Sequence, residues 1–159
     1  ARAMIDAALA GFVNEWRLGD GASMGPVVPN VSPKGTFQTL DAGRIAFAEI
    51  RSPRTKVNLA HDPRVEVSMV DVFARKGARF RGRGAWHGPD TAVFAGMRPR
   101  WETVFGARLA ARFRGFVVIE LAAVRPLSTP AYDIGAREAE LRREYLARFT
   151  AMQEAALDD

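Results

Sequence analysis

The stretch Arg64–Asp71 constrains the fold most. Its residues alternate, with Val65, Val67 and Met69 apolar against Arg64, Glu66 and Ser68 polar. A period of two belongs to a strand with one buried face, because a helix would scatter those apolar residues around its circumference. The segments on either side fit a strand-rich chain. Arg44–Ile50 reads as a strand with Ile45, Phe47 and Glu49 on one face, and it follows the hairpin turn Asp41-Ala42-Gly43. Thr36–Leu40 before it is extended, Ala78–His87 is a strand after the Lys76-Gly77 turn, and Phe116–Leu121 is a strongly apolar strand. Between two of these strands lies a short helix. Ser52 suits its N-cap, Pro53 its first position, and Asp62-Pro63 stops it.

The remaining segments carry weaker signals. Ala3–Ala10 is helix-prone, and Gly11–Leu18, with Phe12, Val13 and Trp16, reads as a first strand. Gly19–Pro26 is rich in glycine and reads as a loop. Val27–Val31 suits an edge strand interrupted by Pro29, and Ser32-Pro33-Lys34-Gly35 a tight polar break. Asp90–Phe113 reads as a helix in two pieces broken at Pro99. Ala136–Gln153 is an amphipathic helix with Leu141, Tyr145, Phe149 and Met152 on one side. Strands do not alternate regularly with long helices, so a doubly wound parallel sheet is disfavoured. The expected class is mainly β: a small antiparallel barrel with helical additions, in one domain over 1–159, with the barrel at about 11–127 and the C-terminal helix at about 136–153.

Composition narrows the chemistry. Apolar residues make up 48% and charged residues 26%, the profile of a globular chain. No apolar run approaches the roughly 20 residues of a membrane span, and no basic-then-apolar leader opens the sequence, so a cytoplasmic location is expected. With no Cys, thiolate catalysis, disulfides and Cys-ligated metals are all excluded, and two His are too few for a His-rich metal centre. Each His stands beside a break and reads as structural. Residues 44–83 hold 10 basic and 4 acidic groups, whereas residues 132–159 hold 4 and 7. The positive middle suits a phosphate or another polyanion. A nucleic acid is the unfavoured partner, since Arg81-Gly82-Arg83-Gly84 is a single copy inside a strand pattern.

Two stretches stand out as candidate binding elements. In Glu49-Ile50-Arg51-Ser52-Pro53-Arg54-Thr55-Lys56 a strand turns into a helix, and helix N-termini attract anions. The turn adds hydroxyls at Ser52 and Thr55 and cations at Arg51, Arg54 and Lys56, and Arg54 can grip a phosphate with its planar fork. In Pro29-Asn30-Val31-Ser32-Pro33-Lys34-Gly35-Thr36, two prolines and a glycine fix the backbone path, so that its N–H and C=O groups can read the edge of a flat heterocycle.

Taken in order, "PNVSPKGTF", "IAFAEIRSPRTKVNL" and "DPRVEVSMVD", with "ARFRGRGAW" as a weaker fourth word, resemble the pyridoxamine 5′-phosphate oxidase-like family of flavin-binding split barrels. The resemblance covers about residues 1–127 in strand order. It implies a six-stranded split barrel and a homodimer with one FMN in each of two interface clefts. It places Arg54 and Thr55 at the cofactor phosphate with Ser52 at the cap, and Arg51 and Lys56 beside them. Asn30, Val31, Ser32 and Lys34 fall on the strand lining the isoalloxazine ring, with Lys34 toward its pyrimidine side. Glu49 and Ile50 fall at the strand end beside the ring and ribityl chain. Arg79 lies near the strand by which the partner closes the cleft.

The sequence departs from the family pattern in three places. Thr55 stands where members often carry a second basic residue, and Gly19–Pro26 is longer than a minimal hairpin. The chain also lacks the Trp-containing, Arg-x-His C-terminal segment that holds pyridoxamine phosphate, so another small molecule is the expected substrate. The function implied is an FMN-dependent oxidoreductase with no catalytic side chain assigned. A deazaflavin-dependent reductase and a non-catalytic flavin-binding protein are the alternatives.

Overall fold

The computed structural model describes residues 4–158. Of the segment Ala3–Ala10, Ala3 lies outside the described residues. The chain divides into two compact units. One comprises the residues up to Met69 together with Arg79–Arg125, and the other comprises Val70–Ala78 with the residues from Pro126 onward.

The elements run α1 (Ala7–Trp16), β1 (Gly19–Met24), β2 (Pro29–Lys34), β3 (Gln38–Asp41), β4 (Arg44–Glu49), α2 (Pro53–His61), β5 (Arg64–Asp71), β6 (Lys76–His87), α3 (Ala92–Phe105), α4 (Ala107–Ala110), β7 (Gly115–Ser128), a 3-10 turn (Pro130–Ile134) and α5 (Glu138–Leu157). The strands form one sheet in the order β2-β1-β5-β6-β7-β4-β3. The pairs β1–β2, β1–β5, β3–β4 and β4–β7 are antiparallel. The mainly antiparallel class expected from the sequence is therefore the class observed, with seven strands rather than six.

The additional strand is β1. Its glycines read as a loop, but the segment pairs with β2 on one side and β5 on the other. Gly19 lies so close to the core that an added Cβ would come within 2.9 Å of the Met69 side chain and 3.0 Å of Phe37. Here glycine serves close packing rather than a turn. The expected first strand Gly11–Leu18 is also corrected, since α1 covers most of it. Asp6 caps that helix through Leu9 N–H at 2.8 Å, and Phe12 and Trp16, four residues apart, stack at 6.2 Å. Pro99 does not break the later helix. It lies inside α3, which ends instead at Gly106 with φ at +86°.

In the first unit, β4 is buried on both faces from Ile45 to Glu49. One face brings Ala46 and Ala48 to a cluster with Phe94, Trp101, Phe113 and Phe116. The other brings Phe47 against Phe37 at 5.1 Å. Trp101 is fully buried, and its indole N–H donates to the Thr36 carbonyl at 2.8 Å, so the largest core side chain leaves no polar atom unpaired.

In the second unit, the tip between β5 and β6 is held by charges and rings. Asp71 accepts from the Phe73 and Ala74 backbone N–H groups at 2.9 Å each, and its other oxygen meets Arg142 of α5 at 2.9 Å. Arg75 stacks on Tyr145 and Phe73 on Phe149. Leu141, Tyr145 and Phe149 keep their expected inward side, whereas Met152 is 52% exposed.

Gly82 explains the Arg-Gly-Arg-Gly run. A Cβ there would lie 2.1 Å from the Glu120 carbonyl oxygen on β7, and one at Gly84 would press on Leu59 at 3.0 Å. Because the obstacle at Gly82 is backbone, Gly82→Ala should destabilise the chain by about 1–3 kcal/mol or more. Urea unfolding checks this, and an unchanged midpoint would contradict the close approach.

Candidate functional site

The site forms where β2 passes the start of α2. A cavity of about 260 Å³ is lined by Asn30, Val31 and Ser32 on one wall and by the turn Arg51 to Thr55 on the other. The hairpin register places Ser32 opposite Gly21 and Asn30 opposite Ser23. Ser23 in turn accepts a buried hydrogen bond from Asn58 Nδ2 of α2 at 3.0 Å. That bond joins the two walls. Thr55, Asn58 and Leu59 form the buried side of α2, which turns Arg54 to the exposed side.

The N-terminus of α2 differs from a simple capped helix. Ser52 occupies the N-cap position, but its hydroxyl makes no capping bond. Its backbone N–H is already donated to the buried Glu49 carboxylate, and Pro53 has no N–H. Anion affinity at this turn therefore draws on side chains as well as on the remaining backbone N–H of the first helical turn. The Ser52 hydroxyl is unspent, and neither the Arg51 nor the Arg54 guanidinium forms an ion pair among the described residues. Two such cations and the Ser52 and Thr55 hydroxyls at one turn suit a phosphate ester, because charge-assisted hydrogen bonds to a guanidinium are the strong class.

The structure brings Asn30, Val31, Ser32, Arg51, Ser52, Arg54 and Thr55 to this one cavity. Lys34, Glu49, Ile50, Lys56 and Arg79 do not line it. Lys34 is 6% exposed at the end of β2, on the strand face it shares with Asn30 and Ser32, and its ammonium donates to Ser32 Oγ at 2.9 Å. Glu49 is 3% exposed and holds the turn from below. Ile50 packs on the aromatic cluster of the first unit. Lys56 lies over the Trp86 ring at 4.9 Å. Arg79 pairs with Glu66 at 3.2 Å. Pro53 is an unanticipated lining residue, and Ser23 and Asn58 are supports that no local motif announces.

A second cavity of about 590 Å³ lies on the β1, β5 and β6 strands, with Met24, Pro29, Arg64, Glu66, Arg81 and Arg83 in its lining. Arg81 and Arg79 share the Glu66 carboxylate there, so this face keeps a positive excess.

Lys34, beside the first cavity, is electrostatically perturbed. Burial lowers its pKa below the ordinary 10.5, and attraction to Glu49 offsets part of that effect. In the window between the lowered native value and 10.5 the unfolded chain binds more protons than the folded one. Stability therefore rises with pH through that window, and the full cost of the buried charge is present below it. Lys34→Met should be about 1–2 kcal/mol more stable than the parent at neutral pH, with the gap closing in alkali. Urea midpoints across that range test the sign.

The comparisons with known proteins agree with this architecture. HupZ of Group A Streptococcus superposes with a TM-score of 0.68 at 19% identity, covering 79% of this chain and 96% of its own. An FMN-binding protein from Syntrophomonas wolfei superposes at 0.63 with 12% identity, covering 76% and 84%. An F420 reductase superposes at 0.57 with 15% identity, covering 76% and 98%. At these identities the likeness shows the fold. No protein of curated function matches the sequence significantly. The sequence profile of pyridoxamine 5′-phosphate oxidase matches residues 7–127, which span both cavity walls and most of the sheet, and the chain accordingly belongs to the pyridoxamine 5′-phosphate oxidase family.

Proposed function

We propose that this protein binds FMN and serves as a flavin-dependent oxidoreductase for an unidentified small molecule. The observation that carries the reading is the cavity itself, where unpaired Arg51 and Arg54, the uncapped Ser52 hydroxyl and Thr55 face the polar wall Asn30–Ser32. Arg54, Arg51, Ser52 and Thr55 hold the phosphate, and Asn30, Val31 and Ser32 lie along the ring. Bound flavin supplies hydride and electron transfer, so the protein's share is binding, orientation and exclusion of water. That division agrees with a chain free of Cys and nearly free of His.

A volume of about 260 Å³ falls below the usual range for a complete cofactor site, roughly 300–1,000 Å³. This supports a homodimer in which a second copy closes the cleft with the strand carrying Arg79. A deazaflavin is the second reading, favoured by Arg81 and Arg83 in the lining of the larger cavity, which outnumber the one Glu66 carboxylate there and would suit a longer anionic tail.

The absorbance spectrum of the purified protein and the mass of its released cofactor test the assignment directly. FMN is expected, deazaflavin would select the second reading, and failure of the protein to take up either would refute both. Turnover with a nicotinamide donor and an electron acceptor separates an enzyme from a flavin carrier. Arg54→Ala should weaken FMN by about 1.5–3 kcal/mol while leaving riboflavin, which lacks the phosphate, nearly unaffected. Fluorescence titration of both flavins reads the difference, and equal losses would remove Arg54 from the phosphate.

A further inference from the structure

Lys34 is buried on terms that a purely structural residue would not need. The residue is 6% exposed, and its ammonium makes one hydrogen bond among the described residues, to Ser32 Oγ at 2.9 Å. The Phe47 ring lies 5.5 Å away. Glu49 attracts it without forming a direct ion pair, and the Glu49 carboxylate accepts from Ser52 N–H instead. An ammonium has three donors, and desolvating one without full compensation is costly. A methionine or leucine would fill the same space without that cost.

What the lysine provides is a defined hydroxyl. Ser32 lines the cavity, whereas Lys34 does not. A serine oxygen that accepts from an ammonium is left with its own O–H to donate, and the neighbouring positive charge polarises that O–H. We propose that Lys34 is a positioning residue that acts through Ser32, presenting the Ser32 hydroxyl as a fixed donor so that the β2 wall selects a ligand edge bearing a hydrogen-bond acceptor, such as the carbonyl and ring-nitrogen edge of a flavin. The assignment rests on the flavin reading and adds to it. It replaces the expectation that Lys34 meets the ring itself.

A double-mutant cycle tests it on the full chain, titrated with FMN and with riboflavin. Ser32→Ala and Lys34→Met should each weaken both flavins by about tenfold. The double variant should bind no worse than Lys34→Met alone, because removing either residue removes the same donor. The midpoint potential of the bound flavin should fall in both single variants and no further in the double, a readout that general loosening of the fold would not produce. Lys34→Gln keeps a donor beside Ser32 and should bind within about threefold of the parent. It also carries the test if Lys34→Met does not fold, since Ser32→Ala placed on that background should restore the tenfold loss. Multiplied losses of about a hundredfold in the double variant, a Ser32→Ala protein that binds like the parent, or a Lys34→Gln protein as weak as Lys34→Met would each overturn the assignment. A parent chain that takes up neither flavin would instead overturn the flavin reading on which it rests.

Discussion

The candidate cavity depends on one buried hydrogen bond, from Asn58 Nδ2 on α2 to Ser23 Oγ on β1. Both residues are less than one-tenth exposed. Such a bond adds only about 1 kcal/mol net, but leaving either partner buried and unmatched costs about 1–3 kcal/mol. Its importance is therefore geometric. It fixes the helix against the hairpin, and the hairpin register then sets where Asn30 and Ser32 stand relative to Ser52 and Thr55. Gly25 completes the join, since a Cβ at that position would come within 3.2 Å of Asn58 Oδ1.

Two buried charges reinforce the same walls from behind. The Glu49 carboxylate accepts from the Ser52 N–H at the entrance to α2, and the Lys34 ammonium donates to the Ser32 hydroxyl oxygen on β2. Each is tied to a different wall, and each is held at the margin of the two-sided burial of β4. The price of burying such groups is acceptable where position matters more than stability. The peripheral cations behave differently. Lys56 and Arg79 are engaged with Trp86 and Glu66, which leaves Arg51 and Arg54 as the free guanidinium groups at the turn.

The legibility of the sequence follows the range of the forces involved. The bounds of α2 were readable because Ser-Pro and Asp-Pro are local punctuation, and β5 because its alternation matches the pleat residue for residue. The hairpin at Ala42-Gly43 was equally local. α1 was misread because Phe12, Val13 and Trp16 fit a helical face as well as a strand, and the deciding signal, the Asp6 cap, lay upstream of the apolar run. β1 is hidden because Gly19 answers to Met69 and Phe37, some 50 and 18 residues further along the chain. In the site, the phosphate-type turn and the β2 wall could be named from their residue types. The Asn58–Ser23 bond could not, since it joins positions 35 residues apart with no motif at either end. The occupation of Ser52 N–H by Glu49 was equally unreadable, because only the bend of the turn brings the two together.

The close approach of β6 to β7 gives the run Arg81-Gly82-Arg83-Gly84 an unusual freedom. Gly82 admits nothing larger than hydrogen and Gly84 is crowded by the Leu59 side chain, whereas Arg81 and Arg83 stand on the open side with no such restriction. Two messages are thus interleaved in one short word, one dictated by the skeleton and the other by whatever meets the surface. A lineage could rewrite every second letter to suit a new ligand charge or a new companion, and the sheet beneath would not register the edit.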